Sequence, residues 1–150
     1  VTVTSRQYYH FIRKRAESET AAYRPNMYEK REEEHGWLLA LYKKWGIQDE
    51  ATQEMLARRY IERFIGCVEN LTNPSCTLSV RQKKQEIHKM LQNPRVRRCL
   101  HKARPHSIYM KCMLIPIRLR SVQLLYWECK FISFVKTRDT KLFSKLKAGR

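Results

Sequence analysis

The chain has 150 residues and a formal net charge of +17, from 31 Lys and Arg against 14 Asp and Glu. One-domain length and 43 % apolar residues exclude a disordered tail, and only four glycines argue for a mainly helical chain. So large a positive charge selects polyanions as partners: an acidic lipid surface, nucleic acid or phosphorylated small molecules.

The opening VTVTSRQYYHFI is rich in β-branched and aromatic residues and begins by alternating, which predicts strand over residues 1–12. A lone strand has no sheet to join. Either it folds back as a small hairpin, or its sheet belongs to an upstream domain from which this chain is cut. PNMYEKREEEHGWLLALYKKWGI then predicts a helix capped by Asn26 and ended by Gly46. Leu38, Leu41, Tyr42 and Trp45 form its expected apolar stripe. Glu32, Glu33 and Glu34 read as a solvated face that favours the helix dipole, with His35 on the surface beside them. Asp49 caps a second helix, in which Ala57, Ile61, Phe64 and Val68 recur at helical spacing as a buried face. The short link predicts an antiparallel hairpin.

Ser79 and Gln82 are a capping box for VRQKKQEIHKMLQ, and Asn93 caps the next helix with Pro94 at its first position. Pro105 ends that helix. A short one follows from Ser107, is expected to be interrupted at Pro116, and gives way to a final helix over residues 121–136. Asp139 or Thr140 is positioned to cap a last turn.

Catalytic signatures are missing: there is no HExxH, P-loop, GxSxG or GxGxxG. Five cysteines, odd in number and without a CxxC, argue against zinc and for reduced, mostly buried thiols of the kind cytosolic proteins carry. No catalytic residue, metal or cofactor is expected within the chain. Two basic features remain. Arg13 and Arg15, followed by Ser18, offer bidentate donors to a phosphate, or else mark a charged strand exit.

The second feature is the C-terminal third. Residues 94–150 hold fifteen bases but only two acids, Glu128 and Asp139. Trp127, Phe131 and Phe134 lie among Arg118, Arg120, Lys130, Lys136, Lys141 and Lys145. The apolar part of this helix is about 21 Å long, short of the ~30 Å hydrocarbon core of a bilayer. It is therefore bundle core or an interfacial helix with snorkelling bases, each worth roughly 1 kcal/mol on an anionic leaflet. Two other uses stay open: a basic nucleic-acid-binding module, or a protein-interaction bundle; separately, the apolar C-terminal helix is a surface through which two copies could pair. Nucleic acid has no motif behind it. The link QNP lacks the glycine of a tight helix-turn-helix, and no zinc finger or RRM signature is present.

The phrases YYHFIRKRAESET, YEKREEEHGWLLALYKKWG, RRYIERFIGCVEN and FISFVKTRDTKLFSKLKAGR together resemble the C-terminal part of bacterial family 2 glycosyltransferases of surface-polysaccharide assembly. The resemblance implies that residues 1–20 are the last strand and loop of an upstream GT-A type α/β domain, and residues 21–150 a helical extension. It implies that Tyr8, Tyr9, Arg13, Arg15 and Ser18 match a late strand of that domain, with Glu17 where the family usually has glycine. Arg13 or Arg15 would lie near the donor diphosphate or the acceptor. The nucleotide-sugar site and its divalent metal would belong to the parent enzyme's upstream domain. The extension would pack on that domain or dock it on the cytoplasmic face of the membrane, where lipid-linked acceptors reside.

Overall fold

The computed structural model describes residues 22–138, with side chains as far as Val135. Among the described residues the fold is mainly α, with six helices and no strand: α1 Met27–Lys44, α2 Glu50–Leu71, α3 Val80–Gln92, α4 Pro94–Lys102, α5 Ile108–Arg118 and α6 Val122–Arg138. The predicted strand, and the last turn after Asp139, lie outside the described residues.

The starts of five helices follow from their side chains, whereas Asn26, expected to cap α1, stands before it at φ 55° and makes no side-chain cap bond. Asp49 accepts the Thr52 N–H at 2.8 Å and opens α2. Ser79 and Gln82 close a reciprocal capping box on α3. Asn93 accepts from Arg95, with Pro94 at the first position of α4, and Ser107 accepts from Met110 at the start of α5. The Ser121 hydroxyl accepts the Leu124 N–H at 3.3 Å and starts α6.

The long α2 is the centre, packed against α1, α4 and α6, while α3 and α5 also pack on α6. Ala57, Ile61, Phe64 and Val68 are all buried, as their spacing predicts. They meet Ile87 of α3, Met113, Leu114 and Ile117 of α5, and Leu125 and Cys129 of α6 in one continuous core. Each large side chain so buried contributes about 1.5–3 kcal/mol. Four of the five thiols are buried, and Cys112 is exposed.

The expected hairpin of α1 and α2 forms, but α1 docks through a different face. Tyr28 meets Phe64 edge to face, Glu32 meets Tyr60 and Glu34 meets Arg59, an antiparallel register. His35, expected on the surface, is the buried residue of α1, its ring 4.7 Å from that of Tyr60. Glu32, expected in a solvated face, takes the Tyr60 hydroxyl at 2.5 Å and Arg95 Nη1 at 2.8 Å, so it joins α1, α2 and α4. The anticipated stripe at the other end of α1 is open to solvent in part: Leu41 is 39 % and Trp45 60 % exposed. The reason is competition for one helix. Tyr28, Glu32 and His35 repeat at helical spacing and meet Asn93, the Tyr60 hydroxyl with Arg95, and the Tyr60 ring respectively, which sets the rotation of α1.

Pro116 does not interrupt its helix. It lies within α5, which ends two residues later at Arg118. A proline so near the C-terminus removes one helical N–H without breaking the turns before it. Its carbonyl instead accepts the Ser121 N–H at 3.0 Å, while Arg120 N–H reaches the Ile117 carbonyl at 3.1 Å. Those two bonds are a Schellman closure, with Arg120 in the left-handed conformation at φ 50°. The same closure ends α1, where Gly46 holds the left-handed position at φ 70°.

Candidate functional site

The last helix has two faces. Leu125, Tyr126 and Cys129 are turned into the core, and the Ser133 hydroxyl bonds back to the Cys129 carbonyl at 2.9 Å and lies 3.4 Å from Thr72 Oγ1 of α2. The other face is open. Leu124, Trp127, Phe131 and Phe134, spaced three, four and three apart, are 53 %, 58 %, 65 % and 53 % exposed. They form one apolar ridge along the helix. Lys130 Nζ stands 5.2 Å from the Trp127 ring, a cation over an aromatic face. Glu128, the one acid of α6, is half-buried, and burial pushes its carboxyl above the ordinary range. One side of the helix is thus core and the opposite side is exposed.

Arg118 and Arg120 precede this helix, at and just after the end of α5. They line a groove of about 480 Å³ with Arg97 and His101 of α4, over a floor that includes Leu100 and Ile117. No acid lines it. Six other arginines are neutralised. Arg31 bonds Glu34, Arg58 bonds Glu54, Arg59 and Arg63 share Glu34, Arg95 bonds Glu32 and Arg104 bonds Glu50. Among the described residues Arg97, Arg118 and Arg120 enter no ion pair. Glu34 is held below the usual carboxylate range, chiefly by its hydrogen bond from Arg31.

Arg97 and His101 went unnoticed in the sequence as site residues. Their i, i+4 spacing puts them on one face of α4 and was a legible signal. Their meeting with Arg118 and Arg120 depends on how α4 and α5 pack, which spacing does not carry. Arg13, Arg15, Ser18, Lys141 and Lys145 lie outside the described residues. So does the side chain of Lys136, although its backbone continues α6.

Among the described residues no helix is long and apolar enough to cross a membrane, and no group of three or more His, Cys, Asp and Glu is placed to hold a metal. Among the described residues the fold and surface define a basic helical bundle whose last helix is apolar on both faces, one buried and one exposed. No family model, curated protein or solved structure matches the chain.

Proposed function

We propose that the chain is the non-catalytic, helical C-terminal module of a family 2 glycosyltransferase, and that it holds the parent enzyme on an anionic membrane surface. The parent would transfer sugar from a nucleotide-sugar donor, with a divalent metal in its upstream domain, to a glycan or lipid-linked acceptor on the cytoplasmic face. The observation that carries the docking role is the outer ridge of α6, where Leu124, Trp127, Phe131 and Phe134 stand exposed beside Lys130. Aromatics enter the headgroup boundary while neighbouring bases reach lipid phosphates, so the ridge suits an interface rather than bulk water. The resemblance of YYHFIRKRAESET and the other quoted phrases to that family is what supports the parent activity.

Vesicle co-sedimentation tests the docking. The chain should bind vesicles with anionic lipid and not neutral ones. Trp127→Ala with Phe131→Ala should weaken binding roughly tenfold or more. Indifference to both vesicle types, together with salt-sensitive oligonucleotide binding, would refute it. The parent activity is checked separately: the reading frame ahead of Val1 should encode a strand-rich domain with an acidic metal-binding motif.

A further inference from the structure

We propose that the groove between α4 and the end of α5 is a binding site for a phosphate group, carried by a soluble diphosphate or by a phosphomonoester headgroup. Three observations on the same residues lead there.

The first is composition. Arg97, His101, Arg118 and Arg120 rim the groove, and its floor is apolar. Its volume, about 480 Å³, is that of a small-molecule site. Guanidinium groups present planar forks that match phosphate oxygens, and several on one rim suit a dianion better than a monoanion. The floor at Leu100 and Ile117 would lie under whatever apolar part the phosphate carries.

The second is the distribution of partners. Six arginines of α1, α2, α4 and the loop after it are each paired with a glutamate. Among the described residues those of the groove are not, nor are Arg81 and Arg98; the groove differs in bringing three such arginines to one rim. Three guanidinium groups gathered without a counter-charge repel one another, so the arrangement is unfavourable until an anion enters.

The third is backbone strain. Arg120 occupies the left-handed position of a Schellman closure, which crowds the Cβ of any residue but glycine. At the equivalent position ending α1 the chain has Gly46. The strain at Arg120 places a guanidinium on the groove rim at a point where the fold by itself would be better served by glycine.

The site does not rest on the α6 ridge, and its test is separable from the vesicle experiment. Pyrophosphate is titrated into the full chain by calorimetry. Arg97→Gln with Arg118→Gln should weaken binding roughly tenfold to a hundredfold. Arg81→Gln with Lys83→Gln removes the same charge from α3, about 12–15 Å along the helix from Leu91 where α3 reaches the groove, and should change binding less than about twofold. Trp127→Ala with Phe131→Ala should leave it unchanged. Thermal melting checks that each variant folds, and the single Arg97→Gln substitution should act in the same direction if the double variant does not. Vesicles separate the two sources. A preference for phosphatidic acid over phosphatidylglycerol that the groove variant abolishes identifies a headgroup, whereas pyrophosphate binding without that preference identifies a soluble ligand. Equal loss in the groove and α3 variants would overturn the proposal, since that is diffuse attraction of polyanions. So would the failure of both pyrophosphate at millimolar concentration and phosphatidic acid to bind selectively.

Discussion

Arg120→Gly separates stability from binding in one substitution. Arg120 sits at φ 50°, closing α5 through the bonds from its own N–H to Ile117 and from Ser121 to Pro116. An L-residue in this conformation costs about 1–2 kcal/mol relative to the right-handed one. Glycine removes that cost but loses about 0.5–1 kcal/mol more backbone entropy on folding. The difference leaves the glycine variant more stable by about 0.5–1 kcal/mol, and both Schellman bonds are kept because they use only backbone atoms. For a domain of this size that is a rise of roughly 1–4 °C in the melting midpoint. Differential scanning calorimetry at low ligand concentration reads it directly. The same variant should bind pyrophosphate more weakly, because one guanidinium has left the rim. Gly46→Ala is the converse at the end of α1: the backbone is left-handed there too, at φ 70°, and alanine should lower the midpoint. A glycine variant at position 120 that melts below the parent chain would refute the reasoning. It would mean that the Arg120 side chain supports the fold and that its position is not held for a ligand.

Two further predictions concern the joint between α1, α2 and α4. Glu32→Ala leaves Arg95, with about 30 % of its side chain exposed, and the Tyr60 hydroxyl without their shared acceptor. It should cost about 2 kcal/mol in urea unfolding, less than for a fully buried pair because water reaches Arg95, and an unchanged midpoint would show the joint to be idle. His35 gives a pH signature. Burial, then the nearby Arg95, lowers its pKa from 6.5, while Glu32 and Glu34 oppose the shift and Arg59 adds to it. As the pH falls below 6.5 the unfolded chain takes up this proton first, so stability is complete above 6.5 and declines toward the lower native value. His35→Phe should flatten that part of the stability–pH curve, leaving a separate acid loss at lower pH as Glu34 protonates. A wild-type curve that is flat just below pH 6.5 would contradict the burial of the imidazole.

Much of the architecture is written in local signals. Asp49, Ser79 with Gln82, Asn93 with Pro94, and Ser107 each mark a helix start by a bond between a side chain and a backbone N–H at most three residues away, so sequence alone carries them. The buried face of α2 is equally local, because four apolar residues at helical spacing admit only one inward direction. The rotation of α1 is not local. Its two halves offer rival faces, one apolar through Leu41 and Trp45 and one polar through Glu32 and His35. The polar face wins because Tyr60 and Arg95 lie across from it, and those partners are 28 and 63 residues from Glu32. A rule that sends apolar residues inward and charged ones outward fails wherever a buried charge meets a hydrogen-bonded partner from a distant helix.

The candidate sites divide in the same way. The α6 ridge was visible as an aromatic, basic run. What the run could not reveal is that Leu125, Tyr126 and Cys129 would serve the core while Trp127, Phe131 and Phe134 remained outside, since both sets are apolar and interleaved. The groove was less visible still. Its arginines belong to two runs, RVRR and RLR, in a segment where bases are common, and nothing in either run distinguishes a paired arginine from an unpaired one. The fold makes that distinction through the acids, which are concentrated before residue 93. Glutamates of α1 and α2 reach Arg95 and Arg104 on and just beyond α4, but none lines the far side of that helix, where Arg97 and His101 face Arg118 and Arg120. The asymmetry of charge along the chain thus becomes an asymmetry of charge across the molecule. Six arginines of α1, α2, α4 and the loop after it are neutralised internally. The side formed by α4 and the α5–α6 corner leaves its own for an external anion, which is why phosphate binding is expected to respond to Arg97 and Arg118 and not to equal charge removed from α3.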